Sequence, residues 1–203
     1  MHKRAILFLL VFLLVMIENS AAQSCFTDYG IAAAVSENRS MNAGLSADGD
    51  PLILTIESSG GKSSLLVIDG ETGETTQHFY PNEANAQGGV FTRLWASSGK
   101  YYLVLGGTFV EFDPETREWT FEEDLKENSL AMSFAEAPDG TIYVATYPRA
   151  ELYRFDPEAR EVDYLTRLDP SEKYPYYLAV DDAGWVYSGL GTVHSTLVAY
   201  NPE

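Results

Sequence analysis

Seven side chains in this 203-residue sequence could engage a polar ligand and stand in segments that read as loops: Lys62, Tyr147, Arg149, Lys173, Tyr174, Tyr176 and His194. An arginine grips a carboxylate through two parallel N–H···O bonds, and tyrosine offers a stacking face with a hydroxyl at its tip. In a catalytic reading, His194 is the general base, Tyr147 the proton donor and Arg149 the holder of a substrate carboxylate. Lys62, Lys173, Tyr174 and Tyr176 are then substrate-binding residues. Together these groups suit an anionic sugar or another polar small molecule. The plainer alternative is that Tyr147 and Tyr176 pack between structural units while Arg149 and His194 are ordinary exposed loop residues.

Other motifs fail on spacing. "GGKS" at Gly60–Ser63 mimics the end of a phosphate-binding loop, but the first glycine of that loop would fall on Ile56, and a strand follows where a helix is required. "GLGTVH", from Gly189, carries His194 where a dinucleotide-binding turn needs its third glycine. No Gly-x-Ser-x-Gly elbow occurs, and His78 and His194 lack metal-ligand spacing. Asp181 and Asp182 could contribute to a calcium site but are more simply a solvated turn. No cofactor is expected.

The positioning elements begin after the N-terminus. Residues 1–22 have a basic start (His2, Lys3, Arg4), an apolar run from Ala5 to Ile17, and small residues Ser20 and Ala22 spaced for cleavage, so they read as a secretory signal. The run is shorter than the roughly 20 residues of a spanning helix, and no membrane span is expected. Cys25 is the only cysteine, so no intramolecular disulfide staples the fold. A lipoprotein reading of Cys25 fits less well than a secreted or periplasmic one, because Ala22 stands where such signals usually carry Leu. "NRS" at Asn38–Ser40 would be a glycosylation acceptor in a eukaryotic secretory pathway. Without the signal, 11 basic residues face 29 acidic ones, a net charge of −18. That field repels phosphate backbones and anionic lipid, which argues against nucleic-acid and membrane-surface partners.

The remainder is repetitive. An Asp or Asn closes an alternating apolar run at Asp69, Asp113, Asp156 and Asn201, at intervals of 44, 43 and 45 residues. A second series of turns keeps step around Gly49, Gly99, Gly140 and Gly184. Between them lie short β-branched and aromatic segments without helical periodicity. Four strands per period near 44 define an all-β fold, a β-propeller of four-stranded antiparallel blades. The blades span about 41–85, 86–127, 128–171 and, incompletely, 172–203. The 23–40 segment is a candidate ring-closing strand. Propellers have about four to eight blades, and seven at this period need roughly 310 residues. The sequence therefore reads as the N-terminal part of a larger propeller, or as a half-propeller that self-associates through its open edge.

Blade geometry makes two further demands. Inner strands should be small, as at Ala43, Gly44, Ala131 and Ala179, and second strands should be apolar on both faces, as with Ile142 and Val144 on one side and Tyr143 and Ala145 on the other. Antiparallel order gathers the stereotyped turns ("APDG", "DPETRE", "DPEARE") at one end. The variable loops, which carry the seven candidates, gather at the other. Variable loops on a rigid scaffold are where binding residues concentrate.

The stretches "PDGTIYVATYPRAELYRFDPEAR" and "YLAVDDAGWVYSGLGTVHSTLVAYNPE" resemble repeats of exported bacterial propellers of the NHL, streptogramin-lyase-like and SMP-30/gluconolactonase-like group. The resemblance covers about residues 41–203 and lies in blade-forming positions. It implies the fold, and it implies a function among binding modules, lyases and metal-dependent lactonases. Two readings follow: a secreted module binding a carbohydrate or small molecule, or a propeller lyase acting on a polysaccharide or cyclic ester.

Overall fold

The computed structural model describes residues 37–59, 62–81, 90–126 and 129–202, which belong to one compact unit. The expected signal peptide, Cys25 and most of the 23–40 segment lie outside the described residues. Four antiparallel sheets follow one another along the chain, each with its strands in sequence order. The first holds β1 (Glu37–Leu45), β2 (Pro51–Ser59), β3 (Lys62–Asp69) and β4 (Thr75–Phe79). The second holds β5 (Arg93–Trp95), β6 (Tyr101–Leu105), β7 (Thr108–Asp113) and β8 (Glu118–Asp124). The third holds β9 (Leu130–Glu136), β10 (Ile142–Tyr147), β11 (Glu151–Asp156) and β12 (Glu161–Arg167). The fourth has three strands, β13 (Tyr174–Val180), β14 (Val186–Gly191) and β15 (Thr196–Tyr200). No helix among the described residues is long and apolar enough to cross a membrane.

The turns follow from local chemistry. Asp156 accepts the backbone N–H groups of Glu158 and Ala159, each at 2.9 Å, and Asp69 does the same for Glu71 and Thr72. Each of these turns closes with the residue four places after the Asp in the left-handed region: Gly73, Arg117 (φ 63°) and Arg160 (φ 58°). Glycine adopts that conformation freely and arginine against strain. Arg160 gains a contact in return, because its guanidinium reaches back to Glu111 at 2.7 Å and lies over the Phe121 and Phe155 rings.

Burial lies in the seams between sheets. Leu54, Ile56 and Leu65 pack against Tyr101, Leu103 and Phe112; Tyr102, Val104 and Phe109 pack against Ile142, Val144 and Phe155; Tyr143, Ala145 and Leu152 pack against Val186 and Leu190. Both faces of β6 and of β10 are therefore core, with Ile142 and Val144 in one seam and Tyr143 and Ala145 in the next, as the sequence leads one to expect. The expectation of small inner strands does not extend to β5, which carries Arg93, Leu94 and Trp95. Its neighbour makes the room: a Cβ on Gly44 would stand 2.8 Å from Trp95 Cζ3. Arg93 then bridges the two inner strands, donating to Asn42 Oδ1 and to the Met41 carbonyl, each at 2.6 Å. On the far side of the fourth sheet Tyr177 and Leu197 are exposed.

Candidate functional site

Six of the seven candidate residues stand on the loop end of the third and fourth sheets. Tyr147 ends β10 and Arg149 follows in the β10–β11 turn; Lys173 and Tyr174 enter β13, Tyr176 lies within it, and His194 sits in the β14–β15 loop. Lys62 is exposed at the start of β3 in the first sheet.

Three of the candidates form one aromatic stack. The Tyr147 and Tyr174 rings are 4.6 Å apart at 35°, and Tyr174 and Tyr176 are 5.5 Å apart and nearly parallel at 12°. Donation of the Tyr174 hydroxyl to Tyr147 is the largest of the effects that raise the Tyr174 pKa, followed by desolvation, so this phenol stays protonated at neutral pH. The backbone explains the alignment. A bulge between Pro175 and Tyr177 re-aims the Tyr176 side chain, and the buried Pro175 sits on an inner strand, where its missing N–H costs no ladder bond. Its carbonyl accepts from Ser133 Oγ at 2.7 Å, tying β13 to β9. Tyr176 remains 46% exposed, so the stack ends in an open ring face. Tyr147 thus packs from the third sheet onto Tyr174 of the fourth, as inter-blade packing would have it, while Tyr176 stays partly open to solvent.

Two glutamates that sequence reasoning passed over hold the loops in place. Glu151 is buried and receives Arg149 through two parallel bonds at 3.0 and 3.1 Å, together with Tyr153 Oη at 3.1 Å and Lys126 Nζ at 3.4 Å. Burial alone would raise its pKa; the Arg149 and Tyr153 hydrogen bonds and the two cations outweigh that and hold it below the ordinary value. Arg149 is therefore already paired with a carboxylate of its own chain. Glu172, also buried, accepts Thr192 Oγ1 and the N–H groups of Val193 and His194. The His194 N–H is the largest cause of its lowered pKa. His194 is thus fixed by its backbone, and both it and Lys173 are exposed. The clue to Glu151 was its closeness to Arg149, two residues on across the β10–β11 turn. Glu172 had no comparable signal, since its partners lie about 20 residues on.

At the opposite end, Asp181 accepts Ala183 N–H, Trp185 N–H and Tyr187 Oη. Among the described residues no group of three or more His, Cys, Asp or Glu is placed to hold a metal ion.

No family model matches this sequence, and no curated protein matches it. Solved structures do. The chain is similar to a streptogramin B lyase with a TM-score of 0.59 at 12% identity, covering 86% of this chain and 57% of that one. It is similar to the β-propeller domain of Cps50 (Swd1) from Myceliophteria thermophila at 0.57 and 17%, covering 77% and 51%. The fold is a β-propeller. Virginiamycin B lyase from Staphylococcus aureus is a further likeness, at 0.54 and 13%, covering 78% of this chain and 54% of that one. The chain spans just over half the length of these propellers. At such identities the likeness is one of fold, since propeller blades carry many unrelated activities.

Proposed function

We propose that this propeller is an exported binding module whose loop end takes a carbohydrate, with one sugar ring lying on the open face of Tyr176. The observation that carries the reading is the Tyr147–Tyr174–Tyr176 stack: three rings in series, with the outermost left partly exposed. Such a platform is rigid before the ligand arrives, which lowers the ordering cost of binding. Exposed Lys173 and His194 supply hydrogen bonds at the rim. The pairing of Arg149 with Glu151 shifts the expected ligand from an acidic sugar toward a neutral one, because Arg149 already spends two of its N–H groups on a carboxylate of its own chain.

The test is titration calorimetry of the full chain with neutral and uronate-containing oligosaccharides. Tyr176→Ala is expected to weaken binding of the neutral ligand about tenfold, the equivalent of ~1.4 kcal/mol of stacking. Equal affinity in wild type and variant refutes the reading. The lyase alternative, with His194 as base, Tyr147 as acid and Arg149 on the substrate, has the resemblance behind it and the Arg149–Glu151 pair against it. It requires a new unsaturated-sugar absorbance on incubation with uronate polymers.

A further inference from the structure

One repeat position at the turn end is occupied by tyrosine in three sheets. Tyr102, Tyr143 and Tyr187 each stand three residues after a turn glycine. Tyr102 donates to Glu111 at 2.7 Å and Tyr187 to Asp181 at 2.9 Å. Tyr143 differs. The residue paired across from it, where Tyr102 meets Glu111, is Arg154. Its hydroxyl has no hydrogen-bond partner among the described residues, although the side chain is only 5% exposed. Burial is the main cause of its raised pKa, so it remains a phenol with a proton to donate.

Tyr143 lines a cavity of about 360 Å³ between the third and fourth sheets, with Asp139, Thr141, Arg154, Asp182 and Asn201. The volume lies within the ordinary range of small-molecule sites. Arg154 uses one nitrogen on Asp163, while its Nε is buried without a partner. A buried donor without an acceptor, as at Arg154 Nε, is uncommon in a folded protein. With Arg154 neutralised by Asp163, the carboxylates of Asp139 and Asp182 set the sign of the cavity.

We propose that this cavity is a second ligand site, for a small ammonium-bearing polyol of the amino-sugar class. Its oxygens accept from Tyr143 Oη, and its ammonium lies against Asp139 and Asp182. A sugar hydroxyl both accepts and donates, which suits a wall that mixes a phenol with carboxylates. The positive charge is favoured by those carboxylates and by the acidity of the whole chain.

The experiment titrates the full chain with glucosamine at about pH 6, where an amine is protonated, and with glucose as the matched neutral ring. Glucosamine is expected to bind at least about tenfold tighter than glucose, a difference of ~1.4 kcal/mol. Tyr143→Phe keeps the ring in the seam and removes only the hydroxyl, and it is expected to weaken glucosamine at least about fivefold. Asp182→Asn, at an exposed turn position, is expected to do likewise and serves if the first variant does not fold. The weakening caused by Asp182→Asn is expected to persist in a Tyr176→Ala background, which separates this site from the loop-end platform. Absence of glucosamine binding, equal affinity for glucose, or indifference to both cavity substitutions overturns the proposal.

Discussion

Replacing Phe155 with alanine tests how these blades hold together. Phe155 is fully buried in the seam between the second and third sheets, with its ring 5.1 Å from Phe109, 4.8 Å from Phe121 and 5.6 Å from Tyr102, and with Arg160 over it. Truncation removes a whole ring from a wall made of other rings, which cannot collapse without moving a sheet. A buried Phe→Ala change costs about 3–5 kcal/mol through lost transfer energy and the residual cavity. For a domain of this size each kcal/mol lowers Tm by about 2–4 °C, giving an expected loss of roughly 6–20 °C. Phe79→Ala is the internal control: its ring is 60% exposed, and the expected cost is about 0.5 kcal/mol. Circular dichroism melts of the three proteins decide the matter. A Phe155→Ala Tm within a degree or two of the Phe79→Ala value refutes the assignment of stability to the seams.

Glu111 accepts Tyr102, Thr120 and Arg160; burial would raise its pKa, but these bonds and the Arg160 charge hold it below the ordinary carboxylate value. Its contribution is therefore present above the unfolded carboxylate pKa, about 4.3, and fades as pH falls through the lower folded value, so acid denaturation of Glu111→Gln is expected to show a shallower pH dependence than wild type. Gly44→Leu drives a side chain into Trp95 and is expected to cost about 1–3 kcal/mol in urea melts, with a shifted tryptophan emission. Glu172→Gln trades one acceptor oxygen for a donor facing the N–H groups of Val193 and His194, and those two amides are expected to exchange faster with solvent while the β10 amides keep their protection.

The turns and strands were legible because their causes are local. Asp156 bonds to amides two and three residues on, and the glycine of each first turn needs only its own positive φ. The two-faced burial of β10 was legible because a period of two over six residues assigns each side chain to a seam. What escaped the sequence depends on register between sheets. Trp95 is tolerated because Gly44 stands opposite, and Arg160 is tolerated in a left-handed conformation because Glu111, 49 residues earlier, receives it. The binding candidates illustrate both sides. Tyrosines 147, 174 and 176 were recognisable as loop-end aromatics, but their coalescence into one stack needed the bulge at Pro175–Tyr177. The partnering of Arg149 needed Glu151 to be buried.

A crystal structure of the chain soaked with a neutral oligosaccharide that binds it tests the central claim most directly. A sugar ring is expected parallel to Tyr176 at stacking distance, with the Tyr147–Tyr174 pair unmoved and the rim contacts made by Lys173 or the His194 loop. Density for the sugar elsewhere on the propeller, with Tyr176 bare, would contradict it.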